Sequence, residues 1–73
     1  MVEENKKILI AFGKNLEKIK KKKKLSYRKI AANCNIEHSD IKRYVDGQTN
    51  PTLLSLIDLA KGLNVTLMEL LNF

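Results

Sequence analysis

Residues 26–47 read SYRKIAANCNIEHSDIKRYVDG, and this stretch decides what the rest of the chain must be. Ser26 is a good helix N-cap, since its hydroxyl can accept from a first-turn amide. A helix from Tyr27 to Asn33 or Cys34 puts Ile30, Ala31 and Cys34 on one inner side. Asn35 then takes a position expected to need the left-handed conformation, which Asn tolerates better than most residues. Ile36 follows as an apolar anchor. The spacing predicts another helix over about Glu37–Val45, with Ile41, Tyr44 and Val45 inward. Its outer face carries His38, Ser39, Lys42 and Arg43, with Glu37 and Asp40 beside them. Asp46-Gly47 ends it, because glycine accepts a left-handed helix cap.

Two short helices joined by a three-residue turn make helix-turn-helix geometry. The major groove of B-DNA, about 12 Å wide, admits one helix. The second helix of such a pair enters the groove and the first crosses the phosphate backbone. A small inner residue, here Ala31, lets the two pack closely, and Ile36 plugs the core after the turn.

Outward from this unit the chain reads as further helices, with almost no alternation of apolar and polar residues to support strands. A helix over roughly Asn5–Lys22 carries Ile8, Phe12, Leu16 and Ile19 as its apolar stripe. Gly13 interrupts it, at up to about 1 kcal/mol relative to Ala, which a close neighbour would explain. After the polar loop Gln48–Pro51, Thr52 caps a fourth helix with Leu53, Leu56, Ile57, Ala60 and Leu63 as its apolar face. Thr66-Leu67-Met68-Glu69 has the form of a capping box and opens a last short helix bearing Leu67, Leu70 and Leu71.

The 73 residues fit one domain, 1–73, that buries only about 60% of its unfolded surface. One cysteine, Cys34, excludes an internal disulfide and suits a reducing compartment. The longest early apolar run, Ile8–Phe12, is too short for a secretory core or membrane span, so a cytoplasmic protein with no membrane partner is expected. Charge is unevenly placed. Residues 1–45 hold thirteen Lys/Arg against five Asp/Glu, and residues 46–73 hold one against three. Lys18, the run Lys20–Lys24, Arg28 and Lys29 concentrate eight of the fourteen cations. Such a run is either a solvated face or a phosphate-facing patch. Without Trp, and with two Phe and two Tyr, stacking on single-stranded bases has little to use. No nucleophile–base–acid set or glycine-rich phosphate loop is apparent, so an enzyme is not expected. Cys34 and His38 alone make no metal ligand set, and no cofactor is expected.

From Phe12 to Leu71 the chain resembles the phage repressor/Cro type of helix-turn-helix, the Xre family. The matching residues are Leu16, Ile19, Leu25, Ile30-Ala31, Ile36, Ile41, Gly47, Asn50-Pro51-Thr52-Leu53, Leu56, Leu59-Ala60, Leu63-Asn64-Val65-Thr66 and Leu70-Leu71. The resemblance implies an all-α, five-helix, lambda-repressor-like domain whose third helix reads duplex DNA as a sequence-specific transcriptional regulator. It implies base contacts from His38, Ser39 and Arg43. Backbone contacts are expected from Lys20, Tyr27, Lys42 and Gln48, with Lys22, Lys23 and Arg28 supplied by the basic patch. Val45 stands where the family usually has a glutamate that pairs with the residue at the Lys20 position, leaving Lys20 without that acid. Tyr27 stands where glutamine is usual. Asp40 either accepts from a cytosine amino group or faces solvent, and Arg43 either reads guanine or pairs with Asp40 or Asp46. A homodimer is expected on a two-fold operator, through Met68, Leu71 and Phe73. The alternative is an antitoxin-type module that covers a toxin-like protein partner and binds DNA only in complex.

Overall fold

Twenty residues, Glu3–Lys22, form the first helix, α1, of a computed structural model that describes residues 3–73. The expected 1–73 unit therefore begins two residues outside the described ones. Four shorter helices follow: α2 Tyr27–Ala32, α3 His38–Val45, α4 Leu53–Leu63 and α5 Leu67–Leu70. No strand occurs among the described residues, so the all-α, five-helix reading holds. α1 lies across α3 and α5, α2 packs on α3 and α4, and α4 packs on α5. Every helix contributes to one core of Phe12, Leu16, Ile30, Ile41, Tyr44, Leu59, Ala60, Leu63 and Leu70. No polar or charged residue is buried among those described.

The buried side of α1 is rotated from the stripe expected. Ile8 is 55% exposed, and the buried positions are Leu9, Phe12, Gly13 and Leu16. The cause is Gly13. A Cβ there would lie 2.2 Å from the Val45 carbonyl oxygen and 2.7 Å from that of Tyr44. Two backbones therefore meet where α1 crosses the end of α3, and this draws the buried face of α1 toward Gly13 and away from Ile8. A similar approach joins Gly62 of α4 to the Ile30 carbonyl of α2, 2.9 Å from where a Cβ would stand. Because six-residue α2 covers only the far end of α4, Leu53 in the first turn is 65% exposed, while Leu59 and Leu63 are fully buried.

Three helix ends close in the same way. Leu25 N–H donates to Lys20 O and Lys24 N–H to Lys21 O at the end of α1. Gln48 to Arg43 and Gly47 to Tyr44 do this for α3, and Val65 to Ala60 and Asn64 to Lys61 for α4. This is the Schellman pattern, with its pivot residue left-handed: Lys24 and Asn64 at φ 57° and Gly47 at φ 69°. Asn35 is not left-handed, contrary to expectation, because α2 ends differently. Asn33 N–H reaches the Ala31 and Ile30 carbonyls, Cys34 N–H donates to Ala31 O, and the Cys34 thiol donates to Ile30 O at 3.2 Å. With these carbonyls satisfied locally, the turn to α3 needs no positive φ. The N-caps at Ser26 and Thr52 and the full capping box of Thr66 and Glu69 form as the sequence predicts.

The expected consequence of Gly13→Ala is a loss of stability of about 3 kcal/mol, since the added methyl has only backbone to displace. Urea unfolding followed by circular dichroism measures it, and a loss under about 0.5 kcal/mol, the level of an ordinary surface substitution, would contradict the contact.

Candidate nucleic-acid interface

α3 is held from one side only. Ile41 and Tyr44 point into the core and Val45 lies partly buried against α1, while His38, Ser39, Lys42 and Arg43 stand exposed along the opposite face. Glu37 is the N-cap but makes no side-chain capping bond. The two cations of this face have acids close by, one within α3 and one at its C-cap. Arg43 Nη1 lies 3.5 Å from Asp40 Oδ1, and Lys42 Nζ lies 3.0 Å from Asp46 Oδ1. Hydrogen bonding to Asp46, then the charge of that carboxylate, raises the Lys42 pKa above its ordinary value, so Lys42 stays cationic.

Beside α3 the start of α2 meets α1. The Tyr27 hydroxyl donates to Glu17 Oε2 at 2.9 Å. Lys20 Nζ lies 4.7 Å from the Tyr27 ring centroid and 3.6 Å from Glu17 Oε1, and its side chain is only 16% exposed. Lys42 Nζ approaches the same ring from α3, 6.0 Å from the centroid. Lys20 is thus held in place although Val45 supplies no acid. Glu17, one turn earlier, takes the place of the missing acid and also holds Tyr27. Both cations lie within range of favourable interaction with an aromatic face. Glu17 was not singled out from the sequence. Its spacing of three and four to Lys20 and Lys21 is a legible ion-pair signal, but its bond to Tyr27 crosses between helices and leaves no local trace.

The expected DNA contacts do not all fall on one surface. Tyr27, Lys20, Lys42 and the α3 face form one continuous region, with Arg28 exposed on α2 and Gln48 exposed just past α3. Lys22 and Lys23 instead line a groove between α1 and α5, with Lys18, Asn15, Glu69 and Asn72. The Lys23 ammonium donates to the Asn64 carbonyl at 3.0 Å, tying the end of α1 to the end of α4. On α5 and the tail, Met68 is 84% exposed, Phe73 55% and Leu71 43%, although the Phe73 ring also makes an edge contact with Phe12. No helix among the described residues is long and apolar enough to cross a membrane.

Burial, then the Glu17 hydrogen bond and charge, raise the Tyr27 pKa above the ordinary 10.0. The bound proton stabilises the fold fully below pH 10, and that contribution is lost as pH rises through the raised value. In a Tyr44→Phe background, the phenolate absorbance of Tyr27 is expected to rise later than that of a free tyrosine, and Glu17→Ala is expected to move it earlier. An unchanged titration in Glu17→Ala would remove Glu17 from this role.

The helix-turn-helix family model matches residues 16–70. Among solved structures, the chain is similar to the restriction-modification controller protein C.AhdI from Aeromonas hydrophila, with 29% sequence identity and a TM-score of 0.81 over 85% of this chain and 94% of that one. No curated protein matches by sequence.

Proposed function

The chain belongs to the Xre-type helix-turn-helix family of DNA-binding transcriptional regulators, and from this premise we propose that it reads a specific duplex sequence with α3 in the major groove. The observation that carries the proposal is the outer face of α3. His38, Ser39 and Arg43 are exposed in a row on a helix whose opposite side is anchored in the core. Arg43 has the reach and fork geometry to engage guanine O6 and N7, and exchanging Asp40 for guanine costs little at an exposed pair. His38 and Ser39, in the first turn, are assigned base contacts in the manner of the family. Lys20, Tyr27, Arg28, Lys42 and Gln48 surround this helix and take the flanking phosphates, with Tyr27 packing its edge on a sugar. Lys22 and Lys23 lie on another part of the surface and are not needed for that docking.

The similarity to a restriction-modification controller supports a regulator that acts through an operator. One copy of α3 spans about one half-site, so the reading includes a two-fold dimer on a palindromic operator. The apolar surface available to it is Met68, Leu71 and Phe73. Met68→Lys with Leu71→Lys is expected to halve the mass seen by sedimentation equilibrium and to leave the circular dichroism unchanged. A wild-type chain that is monomeric both free and on DNA would overturn the dimer.

Selection of binding sites from a random duplex library, followed by gel shifts at several salt concentrations, tests the reading itself. A specific site is expected to bind roughly 10³-fold or more above random duplex. Arg43→Ala is expected to relax preference at one base position, worth about 1–3 kcal/mol. If no sequence is enriched, or if Arg43→Ala leaves the preference unchanged, α3 does not read bases.

A further inference from the structure

α1 carries a second cationic surface that α3 docking leaves unused. Lys7, Lys14, Lys18 and Lys22 are all exposed. At about 100° per residue, Lys18 lies opposite buried Leu9, and Lys7, Lys14 and Lys18 are each about 160–180° from buried Leu16. Lys22 flanks them beside the groove toward α5. α1 meets the end of α3 at Gly13 and, just past it, at Ile10 against Gly47; these lie about 140° and 80° around the helix from Lys18, so Lys18 and Lys22 face away from the α3 surface and Lys7 and Lys14 lie to its side. Its pairing also differs. Lys20, Lys21, Lys42 and Arg43 each have a carboxylate partner, whereas Lys7, Lys14, Lys18 and Lys22 have none among the described residues. The nearest acids are Glu3 and Glu4 one turn before Lys7, Glu17, which is already engaged by Tyr27 and Lys20, and Glu69 of α5, which lines the same groove as Lys18 and Lys22 without an ion pair to either.

Four cations without an ion-pair partner along about 22 Å of helix complement a regular line of negative charge. A duplex backbone is such a line, and the helix that carries the row is already formed. The molecule is about 20 Å thick in its two shorter dimensions, 21 and 19 Å, so a straight duplex held by α3 does not reach around to it. We propose that the outer lysine row of α1 is a second, sequence-independent site for duplex DNA, which lets one molecule hold two duplex segments together. The inference rests on the α3 reading only for the first duplex.

Two mixed-sequence duplexes carrying different fluorophores, titrated with the full chain and followed by cross-correlation, provide the test. The wild-type chain is expected to link the two colours. Changing Lys7, Lys14, Lys18 and Lys22 to Gln is expected to weaken the linkage at least about tenfold and to reduce its log–log salt slope by about 3–4, while binding of a site selected by α3 stays within about threefold. Linkage unchanged in that variant overturns the second site, as does a parallel loss of selected-site binding. Lysine-dependent attachment to phosphatidylserine vesicles without linkage of duplexes also overturns it and assigns the row to lipid. With the site selected by α3 placed in one of the two duplexes, Ser39→Ala with Arg43→Ala separates the two readings. If linkage in that variant equals wild type and still depends on the lysines, the α3 reading fails and the second site stands.

Discussion

Where Gly13 crosses the end of α3, the fold depends on there being no side chain. With the Val45 carbonyl oxygen 2.2 Å from the position a Cβ would take, no other residue allows the two helices this approach. The contact sits at the end of the helix that carries His38, Ser39 and Arg43, so it sets the angle at which that helix leaves the body. Gly62 meets the Ile30 carbonyl in the same manner at α2. The two helices of the helix-turn-helix are thus each fixed, backbone to backbone, by a neighbour. Such contacts have almost no freedom to rearrange, which suits an element whose side chains must meet base edges within fractions of an ångström.

The surface around α3 combines rigidity with exchangeable charges. Arg43, Lys42 and Lys20 rest against Asp40, Asp46 and Glu17. Exposed pairs of this kind contribute about 0–1 kcal/mol each, so they restrain long side chains in the free protein without competing strongly against phosphate or guanine. Lys20 is the exception in burial. Enclosed by Glu17 and the Tyr27 ring, it belongs as much to the junction of α1 and α2 as to any ligand. Glu17, Lys20, Tyr27, Lys42 and Asp46 form one chain of contacts from α1 through α2 to α3, and this ties the position of the reading helix to the backbone-facing rim.

The positive charge of the molecule therefore divides into two populations. Lys20, Lys42 and Arg43 near α3 are matched by acids, whereas Arg28 and the row Lys7, Lys14, Lys18 and Lys22 have no ion-pair partner among the described residues. A net charge of +6 does not reveal this division. It follows from the orientation of α1, whose inner side is fixed by Leu9, Phe12, Gly13 and Leu16.

Local chemistry made much of the molecule legible in the sequence. The N-caps at Ser26 and Thr52, the capping box of Thr66 and Glu69, the stop at Gly47 and the inward set Ile30, Ile41 and Tyr44 all follow from short-range rules of spacing and hydrogen bonding. The outward orientation of His38, Ser39, Lys42 and Arg43 follows too, because a helix with one apolar side must expose the other. Tertiary structure alone decided which phase of α1 is buried, since Ile8 and Leu9 are equally apolar and only the approach of α3 to Gly13 chooses between them. It also decided that Lys24, and not Asn35, takes a left-handed conformation, because the Cys34 thiol and nearby amides satisfy the end of α2. Glu17 finds Tyr27, and Lys23 finds Asn64, across distances in sequence that no local pattern encodes. Propensity and periodicity act over a turn or two of helix, whereas the contacts that orient the reading surface form only when separate helices meet.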